Sequence, residues 1–391
     1  GLLFFTLIDG GWKQNIIKGF TNPLFLSFFC LFLIECAGLL YNVNMKAGLK
    51  KVETTAGLIA LPFILITGQR FFRLYYERIM AIFCALISLA SVFCAAFALY
   101  RYIGSKDPEV FFYHQLVSPL IQHAVYFSVF VLIAIVFLLA RKKNLLEKNI
   151  IPVRIRIATI IWLIFFLILL SSKIMIITGA LILIGLLIGK EKSKNSTRLI
   201  TAVTAIVISL LLLLFMTDNP IRTRFSDALS GDETLFSKKK FSTDIYFNGV
   251  QFRLLLWRFA GEILNEHRSY IQGVSPGDAQ EELNQKFRET NIYLGDPARG
   301  DTGFLNFNFH NQYLQALVES GILGLLALLI NACWLFYLAK IRHNQAAVAV
   351  ILMLFLFFLT ESVLERQYGI FIYSFFPLLM IQAKTVQKFN Y

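Results

Sequence analysis

The chain of 391 residues is 57% hydrophobic and only 16% charged, with 37 Lys and Arg against 24 Asp and Glu for a formal net charge of +13. That apolar content excludes an ordinary soluble globular chain. The basic residues are scattered over many short segments and form no dense face, which sets nucleic-acid binding aside. The five cysteines, Cys30, Cys36, Cys84, Cys94 and Cys333, lie in apolar stretches with no CxxC and no metal-ligand spacing, and read as packing residues.

In chain order, residues 1–8 are apolar and stop at Asp9-Gly10-Gly11, too short to span and without the basic start of a signal peptide. The chain therefore reads as beginning within a helix, with an upstream span expected. Ten spans follow, at 22–41, 55–69, 79–101, 119–140, 155–170, 174–189, 198–216, 312–339, 345–361 and 367–383. Each is near the length needed to cross about 30 Å of hydrocarbon. The second is short and contains Pro62, so a tilted, kinked or partly re-entrant segment is expected there. The expected fold is an all-α polytopic membrane protein of about ten transmembrane helices, with one long loop that contains amphipathic helices. Its divisions are an N-terminal transmembrane bundle at 1–216, the loop at 217–311, and C-terminal transmembrane helices at 312–391.

Orientation follows from the basic residues of the short connections. With the N-terminal side inside, nineteen of them fall on the inner side and seven on the outer. Lys46, Lys50 and Lys51 run against that bias, so the first hairpin is the weakest part of the map. The long loop then faces outward, since long loops cross largely regardless of their own charge. No internal repeat of transporter type is present.

Within the loop, residues 250–264 have helical periodicity, with Arg253, Trp257, Ala260 and Leu264 on one face. Two readings fit Arg253: a side chain snorkelling from a membrane-surface helix, with Arg258 and Glu262 as a solvated pair, or an anion site. The guanidinium fork matches phosphate oxygens. The loop ends in an alternation of apolar and amide side chains at 304–309, expected to be extended, and His310 and Asn311 open the next membrane helix. At a helix start the dipole favours the neutral imidazole, which suits a general base; an interfacial histidine bonded to a headgroup is the alternative.

Lys173 follows Ser171-Ser172 at an outward turn, where a charge facing lipid at mid-depth would cost about 3 kcal/mol, so a polar cavity or the interface is expected. Arg222 and Arg224 begin the loop, and these stretches either bring cations together or form a solvated rim. Tyr113-His114 and Gln122-His123 flank the fourth span with no standard metal spacing and read as structural hydrogen bonding. Residues 273–277, Gly-Val-Ser-Pro-Gly, match the letters of a nucleophile elbow, but a helix precedes and Pro-Gly follows, which reads as a turn. There is no HExxH, P-loop or Asp-x-Asp pair, so no metal site and no cofactor are expected.

Arg253 followed by Trp257, the turn at 273–277, His310-Asn311-Gln312-Tyr313-Leu314 and then Glu319-Ser320-Gly321-Ile322-Leu323-Gly324 together resemble the bacterial O-antigen ligase and O-antigen polymerase superfamily. The specific likeness covers residues 249–324, and the other spans match in hydropathy. The resemblance implies a metal-independent glycosyltransferase in the bacterial inner membrane, multi-pass, with its active site facing the periplasm. It would take a glycan from an undecaprenyl-diphosphate carrier and pass it to an acceptor hydroxyl, either a lipid A core or a growing glycan. His310 is then the candidate general base and Arg253 a diphosphate contact, joined by Lys173, Arg222 and Arg224, with Trp257, Asn311 and Tyr313 in support. The family often has Arg after Ser where this chain has Lys173, which keeps the charge and loses the fork. Membrane lipid is an expected partner and nucleic acid is not. A lipid or polysaccharide transporter without chemistry is the rival from another class.

Overall fold

The computed structural model describes residues 12–140, 152–188, 201, 205, 220–229, 238–296, 298 and 300–383. Among them all regular structure is helical: α1 (Trp12–Phe20), α2 (Pro23–Gly38), α3 (Met45–Thr55), α4 (Gly57–Thr67), α5 (Gln69–Ser105), α6 (Tyr113–Val117), α7 (Ala124–Ala140), α8 (Val153–Leu169), α9 (Lys173–Ile188), α10 (Pro220–Leu229), α11 (Gly249–His267), α12 (Ala279–Glu289), α13 (Gln312–Ile341), α14 (Gln345–Phe358) and α15 (Gln367–Gln382). The apolar start at 1–8 and the expected span at 198–216 lie outside the described residues, apart from residues 201 and 205.

Three helical stretches among the described residues are long and apolar enough to cross a membrane: Pro23–Tyr41, Gln69–Ser105 and Gln312–Ile341. There are four if Tyr113–Leu120 and Ala124–Ala140, bent by 81°, make one broken span. The expected short span at 55–69 is α4, eleven residues with Pro62 inside it, following directly on the polar α3. The chain is a helical membrane protein.

The chain divides into two compact units. One is drawn from Gly1–Arg73, Ser230–His343 and Leu354–Tyr391, the other from Leu74–Leu229 and Asn344–Met353. In the second, α7 is apolar but for Ser128 and buried from Ala124 to Leu139 except at Phe130. A helix with no polar face must be surrounded, and α7 packs on α8 and α9 around an apolar cavity lined by Leu132, Ile135, Ile164, Leu167, Ile176 and Leu183.

In the first unit, Asn22 starts α2 by accepting from Leu24 N at 2.9 Å, with Pro23 at the first helical position. α2 packs along α13, and α4 along α15. Apolar packing between spans gains little in lipid, so buried polar pairs add specificity. Asn331, fully buried, donates to Ser27 Oγ at 2.8 Å and accepts from the Tyr373 hydroxyl, joining α2, α13 and α15.

The loop between α10 and α13 folds on a core of its own. Phe252, Leu255, Leu256, Phe259 and Ile263 recur at helical spacing along α11 and pack on Leu283 and Phe287 of α12, with Phe247 and Phe309. Fully burying each such side chain contributes about 1.5–3 kcal/mol. The apolar face of α11 is thus committed to protein: Ala260 and Leu264 are buried, Trp257 packs at the edge of the core, and Arg253 is half-buried. Arg258 and Glu262 form the expected i,i+4 pair at 2.7 Å. The expected extended run at 304–309 is interrupted, because the chain turns at 303–306, with Leu305 N on Thr302 O at 3.0 Å and Asn306 at φ 66°. Gly303 and Asn306 supply the left-handed conformations that such a reversal demands.

α13 is two helices joined at Gly321, whose φ of 64° and ψ of −161° break the ladder. The 270–275 segment fills the break: Val274 N donates to Val318 O at 2.8 Å, Ser275 N to Glu319 O at 3.1 Å, and Ile322 N to Tyr270 O at 2.8 Å. A side chain at Gly321 would meet Ile271 O at 2.1 Å, so only glycine allows both the φ and the close approach. The turn at 273–277 is therefore a docking element. Ser275 Oγ lies between Asn42 Oδ1 at 2.6 Å and Asp278 Oδ2 at 2.7 Å.

Candidate functional site

Two carbonyls and a carboxylate hold Arg253. Asn248 and Gln251 form a capping box at the start of α11, which sets Arg253 one turn in. Its Nη1 donates to Gly249 O at 2.9 Å, its Nε to Thr360 O at 3.0 Å and its Nη2 to Glu361 Oε1 at 3.0 Å. Arg253 therefore does not snorkel. The guanidinium side chain remains 29% exposed, and Nη1 and Nη2 each carry a second N–H.

His310 sits just before the N-cap of α13 in the left-handed region, at φ 46°. Its N–H donates to Asn308 Oδ1 at 3.0 Å. Asn311 caps the helix, accepting from Tyr313 N at 2.9 Å and Leu314 N at 3.1 Å. Tyr313 donates its hydroxyl to Phe355 O at 3.0 Å, tying α13 to the end of α14. These bonds fix the backbone at a conformation that costs a non-glycine residue about 1–3 kcal/mol and that collects at functional sites.

His310 Nδ1 lies 3.2 Å from Glu361 Oε2, the second oxygen of the carboxylate that meets Arg253. Against an ionised carboxylate, which only accepts, Nδ1 must carry a proton, and in a neutral imidazole Nε2 is then the acceptor nitrogen. Glu361 is 5% exposed, and Arg253 supplies its counter-charge. Glu361 was not among the sequence candidates. The signal was an acid in the short connection after an apolar run, two spans beyond His310.

Behind this pair lies a second polar layer. Gln312 Oε1 accepts from Leu364 N at 2.7 Å. Gln315 Oε1 accepts from Ser362 Oγ at 3.0 Å and Phe309 N at 3.3 Å, while its Nε2 donates to Glu319 Oε1 at 2.8 Å. Lys51 Nζ bonds both oxygens of Glu319, at 2.8 and 3.0 Å, and also Glu365. Burial works against the Lys51 ammonium, but Glu319, Glu365 and Glu35 outweigh it and hold its pKa above the ordinary lysine value. Lys51 is one of the three lysines that run against the charge bias. Its charge is neutralised within the protein, so it is a poor reporter of orientation.

The other predicted cations belong to the second unit. Lys173 opens α9 after Ser171, which has φ 50°, and its Nζ is 6.0 Å from the Phe225 ring of α10. α10 also carries Arg222, which is exposed, and Arg224, whose side chain lies outside the described residues. Within that unit Lys173 thus meets the helix that bears both arginines. The His114 and His123 rings meet edge to face, their centroids 4.3 Å apart at 75°, and His114 Nδ1 accepts from Ala124 N at 3.4 Å, at the start of α7. Among the described residues no three His, Cys, Asp or Glu side chains gather at metal-binding distance.

The fold and site define a helical membrane protein in which an acid-held histidine and an arginine share one carboxylate. Residues 157–329 match the family model described as O-antigen ligase. That match supports membership of the O-antigen ligase superfamily, whose members are glycosyltransferase-like enzymes. The match spans Lys173, Arg222, Arg224, Arg253 and His310, and stops before Glu361. No curated protein matches the chain.

Proposed function

We propose that the protein is a metal-independent glycosyltransferase that moves a glycan from undecaprenyl diphosphate to an acceptor hydroxyl of a lipid A core, at the periplasmic face of the bacterial inner membrane. The observation that carries this reading is the Glu361 carboxylate, one oxygen on His310 and the other on Arg253. Nε2 of His310 accepts the proton of the acceptor hydroxyl as its oxygen bonds to the anomeric carbon. The bond from that carbon to the diphosphate oxygen breaks, and its electron pair leaves on the diphosphate. The remaining N–H groups of Arg253 are offered to the growing negative charge. Trp257, Asn311 and Tyr313 set the helices that carry these groups. Lys173, on the resemblance, and Arg222 and Arg224, as cations at the start of the loop, are further candidate diphosphate contacts.

Arg253→Lys keeps the charge but cannot hold both carbonyls and the carboxylate. Losing one charge-assisted bond of about 1.5–3 kcal/mol predicts about 10- to 100-fold slower transfer, and wild-type rates would show that the fork is dispensable. The reading as a whole is tested with purified protein and a lipid-linked repeat unit, with and without lipid A core. Single transfer that requires the core is expected. A ladder from the repeat unit alone would assign the polymerase activity instead, and no product in either mixture would overturn the enzymatic reading.

A further inference from the structure

We infer that Gln315 is a positioning residue that holds His310 and Glu361 face to face, and that the Lys51–Glu319 pair fixes its orientation. The inference rests on the reading of His310 as the base.

His310 and Glu361 lie on separate segments of the chain, and their pairing requires the two to be kept in register. One side chain touches both. Gln315 Oε1 accepts from Phe309 N, the residue before His310, and from Ser362 Oγ, the residue after Glu361, at 3.3 and 3.0 Å. An amide can do this in only one of its two flipped states, because the flip would put NH2 against the Phe309 and Ser362 donors. Its Nε2 donates to Glu319 Oε1 at 2.8 Å, and a carboxylate there accepts only the NH2 end. Glu319, one turn further along α13, is held in turn by both of its oxygens on Lys51 Nζ. Lys51 also bonds Glu365, four residues beyond Glu361, so the chain of contacts closes on the segment that it positions. Gln315 is 4% exposed and Glu319 2%, so water does not compete for these bonds.

Gln315 does not touch the reacting atoms in this scheme, so it acts through His310. Gln315→Leu fills the same space without either bond, and Ser362→Ala removes one contact with little change of volume. Both are expected to lower kcat for transfer, by about tenfold or more for Gln315→Leu, with KM for the lipid-linked donor within about twofold of wild type. In a His310→Ala background Gln315→Leu should have no further effect, because there is no imidazole left to position. Multiplying effects in the double variant, or unchanged kcat in both single variants as purified folded proteins, would overturn the inference. If Gln315→Leu does not fold, Ser362→Ala alone and combined with His310→Ala gives the same decision. Full transfer by His310→Ala itself would instead overturn the base assignment beneath it.

Discussion

His310→Ala is expected to slow glycan transfer by about three orders of magnitude, within the 10²–10⁴-fold range of about that size that a positioned general base contributes. Donor binding should be little changed, since in the proposed scheme the imidazole meets the acceptor hydroxyl and Arg253 the diphosphate. The substitution leaves the left-handed backbone at position 310 as strained as before, because alanine pays the same steric cost at φ 46°. Any stability change then comes from the partner lost by Glu361 Oε2, and the thermal midpoint of the variant measures it. Glu361→Gln provides the companion arm. It removes the charge opposite Arg253 and allows the amide to present NH2 to Nδ1, which stabilises the wrong tautomer. A loss of about 10²-fold or more is expected there, measured as initial rates with saturating lipid-linked donor. Near-normal transfer by folded His310→Ala would remove the base assignment, and by Glu361→Gln the claim that the carboxylate sets the tautomer.

Lys51→Met should produce the largest loss of stability. It leaves Glu319, 2% exposed, and Glu365 without their shared cation. Breaking a buried ion pair from one side costs about 3–5 kcal/mol, because the orphaned charge stays buried. The measurement is the thermal midpoint of the purified protein in detergent, and the expected result is a clear drop. Lys51→Met combined with Glu319→Gln and Glu365→Gln should recover most of it, since replacing all the buried charges together removes the penalty. If the single variant is as stable as wild type, Lys51 is not the keystone of the second layer. If the triple variant is no better than the single one, the loss comes from packing of the lysine stem and not from charge.

The membrane class of this chain was legible because hydrocarbon imposes a length and a polarity that a linear sequence displays directly. Helices occupy the expected positions at 22–41, 155–170 and 312–339, the one expected at 119–140 begins only at Ala124 after a sharp bend, and α11 appears where its periodicity placed it. The signals that misled were those with two physical meanings. The apolar stripe of α11 fits a membrane surface and a protein core equally well, and only the position of Phe287 and Phe309 against Phe252 and Phe259 decides between them. Alternation at 304–309 marks a strand-like run unless left-handed residues intervene, as Asn306 does.

The sequence by itself determined that the chain is a helical membrane protein, that it carries a substantial polar loop, and that Arg253 and His310 are chemically notable. Those conclusions rest on composition, period and residue type, which are local properties. Only the tertiary structure decided that Glu361 joins the two, that Gln315 spans the segments bearing His310 and Glu361, and that Lys51 belongs to Glu319. The contacts that join the separate segments link residues 47 or more positions apart, and a hydrogen bond formed across that separation leaves no periodic trace in the chain that makes it.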